Sequence, residues 1–423
     1  MNVFHGYGIN QSSIGASITV YQPMGSGGGA SAAWDTTESR HQIDVASAGT
    51  VSNLGIYLSA NDRTGGTFRA RINAANGNQT MTFSGTGRYE DTANTDSWDA
   101  AEEVNVQIIT GTSGTTFIPE GFSFLFAPSS GTVCYIVSDA GKPGTGTATL
   151  FNPLLTGTAG SALSTTEANN QNTIAVAATM QNQFTTVSAN TRSDTTEWRT
   201  RINGVNGNSV CSYATTVTGD VQDTVNTDSV ADGDELNYAF IENDGTGQLT
   251  IQAGSIEFSA TNAFPIFGSQ QANTATAQSA NLTRYLWVAG SYVSALDDTE
   301  ADKQITTNVG FTWSDLYGYL SAYSLNSGNY IIRSRINAAN GNMVITFTAT
   351  GQQSDVTNTD TVADDDEINY SSVTGGTTGA VTLRTLSSLA TAVATATSVT
   401  RKMRLFEGFT VRFISGRIIL HQN

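Results

Sequence analysis

Three lysines, three histidines, two cysteines and six prolines are all that 423 residues contain of those types, and each shortage excludes something. Nineteen basic against thirty-six acidic residues give a formal charge of −17, which argues against nucleic acid and anionic membrane as partners. Cys134 and Cys211 stand at unrelated places and read as small buried hydrophobes, not as a disulfide framework. His5, His41 and His421 recur in no pattern, so neither a metal-ligand set nor a nucleophile–base pair forms around them. There is also no Gly-x-Ser-x-Gly and no phosphate-binding loop. No apolar window reaches the roughly 18 residues of a membrane span. The start, Met1-Asn-Val-Phe-His, shows no basic segment followed by an apolar run, so no secretory signal is expected. Long runs of helix formers are missing as well, and a chain rich in Gly, Thr, Ser, Ala and Asn has the balance of an all-β protein.

What is present is a repeat. Arg199-Thr-Arg201-Ile202-Asn203, then Asn206-Gly207-Asn208, Asn226-Thr-Asp228 and Asp234-Glu235, matches Arg69 to Asn73, Asn76-Gly77-Asn78, Asn94-Thr-Asp96 and Glu102-Glu103 before it. It matches Arg333 to Asn337, Asn340-Gly341-Asn342, Asn358-Thr-Asp360 and Asp366-Glu367 after it. The isoleucines fall at 72, 202 and 336, 130 and then 134 residues apart, a period the size of a domain. From isoleucine to Asn-Thr-Asp the middle copy has two extra residues, which leaves every side chain on its original face of a strand. Asn-Gly between alternating segments predicts a type I′ hairpin turn at Asn76, Asn206 and Asn340.

About eight short strands per copy, at turn-marked intervals, predict three tandem antiparallel β-sandwich domains of jelly-roll type. The expected divisions are an N-terminal arm over 1–15 and sandwiches over 16–142, 143–270 and 271–423. Opening strands are expected at 17–21, 147–151 and 282–288, and the polar stretches from Asp139 and Gly268 as linkers. The last copy ends differently: 390–399 is an Ala/Thr run, and 401–417 holds five of the nineteen basic residues.

In Arg-x-Arg-Ile the two arginines share one face of a strand. Acids recur beside them in every copy, so cross-strand pairs such as Arg199 or Arg201 with Asp234, Glu235 or Asp223 are expected, and with them a structural role. Asp364, Asp365, Asp366 and Glu367 invite a calcium reading, but their spacing fits no EF-hand, and such residues are usual in turns before strands. A glycosidase carboxylate pair would hardly survive in three near-copies without a further signature. The expectation is a protein without cofactor or catalytic residues.

The order of elements resembles a β-sandwich module of tailed-phage virion proteins, carried by residues 188–190, 199–208, 223–228 and 230–238 and their counterparts. That resemblance covers some sixty residues of each copy and implies a structural or decorating protein of the virion, assembled in the host cytoplasm. Implied partners are other virion proteins such as the major capsid protein, and further copies of the chain, with no nucleic acid and no membrane. The alternatives are a tail-fibre or receptor-binding protein, and an extracellular carbohydrate-binding or glycan-degrading protein. Unique attachment has to be encoded where the copies do not repeat, which singles out Phe4, Tyr7, Arg401, Lys402, Arg404, Phe406, Phe409 and Arg412 as interface candidates.

Overall fold

A computed structural model describes residues 3–8, 13–25, 34–141, 148–155, 163–243, 246–269, 277–291, 296–392, 409–414 and 417–422. The chain forms two compact units, 1–392 and 393–423. In the second, Phe409–Ile414 pairs antiparallel with Arg417–Gln422.

The first unit is built of strands whose alternation can be read residue by residue. In Gly66–Ile72, Phe68 and Ala70 are fully buried while Arg69 and Arg71 face outward, the pattern of a strand with one face on a core. The first eight long strands are Val3–Gly8, Thr19–Pro23, Gly49–Asn61, Gly66–Ile72, Ala75–Thr82, Gly87–Trp98, Glu102–Thr110 and Phe117–Pro128. They form two sheets, in the order first, eighth, third, sixth and second, seventh, fourth, fifth, with Ile43–Val45 added to the seventh. This is the jelly-roll order.

The same order follows twice more. Val133–Gly141, Leu249–Ser259, Ala178–Asn190 and Gly219–Asp223 make one sheet, and Thr149–Asn152, Glu235–Glu242, Thr196–Ile202 and Val205–Tyr213 its companion. Ala263–Ser269, Ala380–Ala392, Phe311–Tyr323 and Gly351–Asp355 make the next, with Thr283–Leu286, Glu367–Thr374, Tyr330–Ile336 and Ala339–Phe347. Between facing sheets lie large aromatics, among them Trp198 against Tyr238 and Phe240, and Trp313 against Tyr370. Cys134 and Cys211 are both buried and unbridged.

Three expectations change. The segment 1–15 is not simply an arm, because Val3–Gly8 pairs along its length with Phe117–Pro128 and places Phe4 in the core. Likewise Val133–Gly141 and Ala263–Ser269 open the second and third sheet pairs, so the strands expected as openers are second strands, and the limits 142/143 and 270/271 fall behind the true first ones. The chain passes between pairs in only a few residues, at 129–132 and 260–262, where Gly131 and Asn262 adopt positive φ. Finally, the hairpin turn is not Asn-Gly. It lies three residues earlier, at Asn73-Ala74, Asn203-Gly204 and Asn337-Ala338, where both central residues have positive φ as a type I′ turn requires.

The three sheet pairs close on one another cyclically. The loop before the third strand of each repeat docks on the first sheet of the next. Ser47 Oγ donates to Glu257 (2.8 Å) and Thr186 Oγ1 to the Gln42 carbonyl (3.2 Å). In the second contact Asn172 Nδ2 donates to the carbonyls of Gly268 (3.2 Å) and Leu386 (3.1 Å). In the third, Asn308 Nδ2 donates to the Asn53 carbonyl at 2.8 Å. Ladder register makes His5, Ile136 and Ile266 equivalent, and all three line one cavity of about 20 Å³, so the opening strands meet at a common centre. The first unit is therefore a ring of three jelly rolls in one chain.

Candidate functional site

The repeated motif is the first place to look for chemistry, and its polar atoms are used internally. Asp96 Oδ1 accepts from the backbone N–H of Asn78 (2.6 Å) and Oδ2 from that of Gln79 (3.1 Å), while Asn78 Nδ2 donates to the Thr95 carbonyl (3.1 Å). Asp228 does the same for Asn208 and Ser209, and Asp360 for Asn342. The glycine of Asn-Gly is explained by this carboxylate. A Cβ at Gly77, Gly207 or Gly341 would stand 2.8, 2.7 or 2.6 Å from the aspartate Oδ2, so only glycine admits the approach. Asp91, Asp223 and Asp355 take the backbone N–H of Thr80, Val210 and Val344, each at 2.8 Å. Burial alone would push these three carboxyls up, but the hydrogen bonds they accept together hold them below the ordinary range.

The arginines have the expected structural role with a different partner. Arg71, Arg201 and Arg335 make two-pronged pairs with Glu38, Glu167 and Glu300, at 2.7 to 2.9 Å. Each lies over an aromatic ring, Tyr21, Phe151 or Tyr285. Each glutamate begins a short 3₁₀ turn, Glu38–Arg40, Glu167–Asn169 or Glu300–Lys303, and lies 33 to 35 residues before its arginine, so no local pattern links the two. Arg199 pairs with Glu197 at 3.0 Å instead of a cross-strand acid.

The acidic run is likewise occupied. Asp366 accepts from the Ala363 N–H and from Asn337 Nδ2, both at 2.7 Å, and Glu367 receives Arg88 Nε at 2.6 Å. Among the described residues no three His, Cys, Asp or Glu side chains are grouped to hold a metal ion. Of the interface candidates, Phe4 is buried and stacks on Phe311 at 6.0 Å, a contact inside the ring that is unavailable to a partner. Tyr7 pairs with Phe122 in the ladder, and Phe409 and Arg412 lie in the terminal hairpin. Arg401, Lys402, Arg404 and Phe406 lie outside the described residues.

Sequence reasoning missed the groups that close the ring between its third and first repeats. Lys303, fully buried, places Nζ 3.5 Å from Glu120 Oε2, 3.7 Å from Asp297 Oδ2 and 4.0 Å from the Trp287 ring. Burial pushes its ammonium below the ordinary lysine range although Glu120, Asp297 and Asp302 pull it up. The scarcity of lysine was the one available signal. Beside it, Arg88, Glu90, Gln304 and Asn308 line a cavity of about 100 Å³, room for a few waters. A larger open hollow of about 750 Å³, at the joints around Gly131 and Asn262, is lined by small and hydroxyl side chains with no titratable group. Neither offers a base poised on a nucleophile. No helix among the described residues is long and apolar enough to cross a membrane.

No family model and no curated protein matches this sequence. Among solved structures the chain is similar to one described as "The Triple Jelly Roll Fold and Turret Assembly in an Archaeal Virus", at 12% identity over 83% of this chain and 82% of that one, with a TM-score of 0.17. A score of that size carries no argument, and the jelly-roll assignment stands on the strand order alone.

Proposed function

We propose that this chain is a non-enzymatic virion structural protein, a decorating or otherwise capsid-associated component of a tailed-phage particle that assembles in the host cytoplasm. The observation that supports it most is the use of the repeated polar residues: Arg71, Arg201 and Arg335, Asn78, Asn208 and Asn342, and Asp96, Asp228 and Asp360 are each spent on holding a corner of their own jelly roll. Such a body presents three similar faces whose recurring ion pairs and carboxylate contacts lie within each jelly roll, which suits a scaffold. Its partners on this reading are other virion proteins, the major capsid protein first, together with further copies of the chain.

Attachment is assigned to the second compact unit. Residues 393–423 carry Arg401, Lys402, Arg404, Arg412 and Arg417 against Glu407 alone, whereas the ring is strongly acidic. A small basic unit on an acidic body suits a partner surface that the body itself would repel. Removing 393–423 should leave the melting transition of the ring within a few degrees of its original value and abolish incorporation into particles, read by sedimentation with capsids. Normal incorporation of the shortened chain would move attachment onto the repeated faces. Removing 1–15, by contrast, should unfold the first jelly roll, since Val3–Gly8 is one of its strands.

A further inference from the structure

We propose that the most acid-responsive seam of the ring is the one between the first and second jelly rolls, where three carboxylates are brought to the position that the other two seams fill with an ion pair or a neutral hydrogen bond. Ladder register fixes the equivalent residues of the three seams. Thr186 opposite Asp220, Tyr57 opposite Arg88 and Tyr319 opposite Gln352 make Asp220, Arg88 and Gln352 counterparts. Asp44 opposite Glu103, Thr173 opposite Glu235 and Thr306 opposite Glu367 make those pairs counterparts on the facing repeat.

At the third-to-first seam the locus is attractive, with Arg88 Nε 2.6 Å from Glu367. At the second-to-third seam it is neutral, with Gln352 Nε2 donating to Thr173 Oγ1 at 2.8 Å. At the first-to-second seam Asp44 lies opposite Glu103 in the ladder, and Asp220 holds the place of Arg88 beside Thr186, whose Oγ1 crosses the seam to the Gln42 carbonyl at 3.2 Å. The charges acting on Asp44 are Asp220 and Glu103, and those on Glu103 are Asp220 and Glu38, the last already held by Arg71. Nearby His41 is kept neutral by burial, down at about 4, and so supplies no counter-charge near neutrality.

The direction follows from linkage. Burial first, then the neighbouring acids, raise Asp44 to about 6, and burial raises Glu103 and Asp220 as well. Groups whose folded pKa lies above the unfolded value bind more protons when folded. Their seam is therefore tightest below about pH 4 and loosens as pH rises through about 6. Because these side chains are partly exposed, solvent screening reduces the effect to about a tenfold change in the opening equilibrium. The short joint at 129–132 keeps the two repeats tethered while the seam opens.

Native-state hydrogen exchange of the full chain, read by mass spectrometry at about pH 5 and about pH 7.5 with intrinsic rates divided out, tests this. Protection of Ile43–Val45 and Gly219–Asp223 should fall about tenfold at the higher pH, while Gly351–Asp355 at the neutral seam stays unchanged. Asp220→Arg, which copies Arg88, and Asp44→Asn, which only removes charge, should each restore protection at the higher pH. Glu90 near Asp364 and Asp365 contributes a smaller like-charge response at the third seam, so the local readout is decisive rather than overall melting. Equal protection of Gly219–Asp223 at both pH values overturns the proposal. So does a pH difference that survives in Asp44→Asn, the variant least able to disturb folding.

Discussion

Lys303→Met should destabilise the ring by about 3–5 kcal/mol, the usual cost of stranding one member of a buried ion pair. The two side chains are 0% and 2% exposed, so the substitution leaves the Glu120 carboxylate buried without its ammonium. The equivalent positions at the other seams hold His41 and Asn170, with Gln252 and Arg384 in the place of Glu120, so the lysine–glutamate pair is not repeated there. The third-to-first seam differs in one physical respect: no peptide joint crosses it. The first and second repeats are tied by 129–132 and the second and third by 260–262, whereas the ring's last contact is held by side chains alone. Among the described residues the ion pairs Lys303–Glu120 and Arg88–Glu367 stand where covalent tethering is missing. Burial already outweighs attraction at Lys303, so Lys303→Met combined with Glu120→Met should recover most of the loss. Urea midpoints of the single and double variants read both effects. A single variant within about 1 kcal/mol of the original would mean that Lys303 does not close the ring.

Arg192→Leu should cost a similar amount, about 3–5 kcal/mol, within the second jelly roll. Arg192 and Glu242 are 0% and 1% exposed and ion-paired. The repeats solve this one position in three ways. Arg63 in the first donates to the carbonyls of Ile14 (2.8 Å) and Gly114 (3.0 Å), with Thr110 in the place of the glutamate. The third has Leu325 and Thr374. Adding Glu242→Thr to Arg192→Leu transplants the third repeat's pair and should return stability to within about 1 kcal/mol of the original or above it. Burial already raises the Glu242 carboxyl, and loss of Arg192 raises it further. The cost of the single variant should therefore be full near neutral pH and shrink as pH falls toward the unfolded value of about 4.3, where the buried acid takes up its proton. Thermal melts at several pH values check the slope.

These two sites show how far the sequence could be read. The all-β class, the repeat and about eight strands per copy were legible because alternation and turn residues are local signals. The hairpin was placed three residues too late because Asn-Gly carries the strongest local turn preference, while tertiary contact with Asp96, Asp228 and Asp360 claims that glycine for a close approach. Val133–Gly141 carries a pattern that marks it as a strand and says nothing about its neighbour, so its place as the opener of the second jelly roll was not legible. Its partner, Leu249–Ser259, lies more than a hundred residues away. Lys303 with Glu120 and Arg88 with Glu367 join residues further apart still, so the closure of the ring left no mark in any local window.

Closure is the claim on which the seam arguments depend, and small-angle X-ray scattering from residues 1–392 tests it most directly. Three jelly rolls closed into a ring should give a radius of gyration of about 21 Å, the value for a compact body of that length. Three independent sandwiches strung in a row would give about 30 Å or more, and a value in that range would contradict the account.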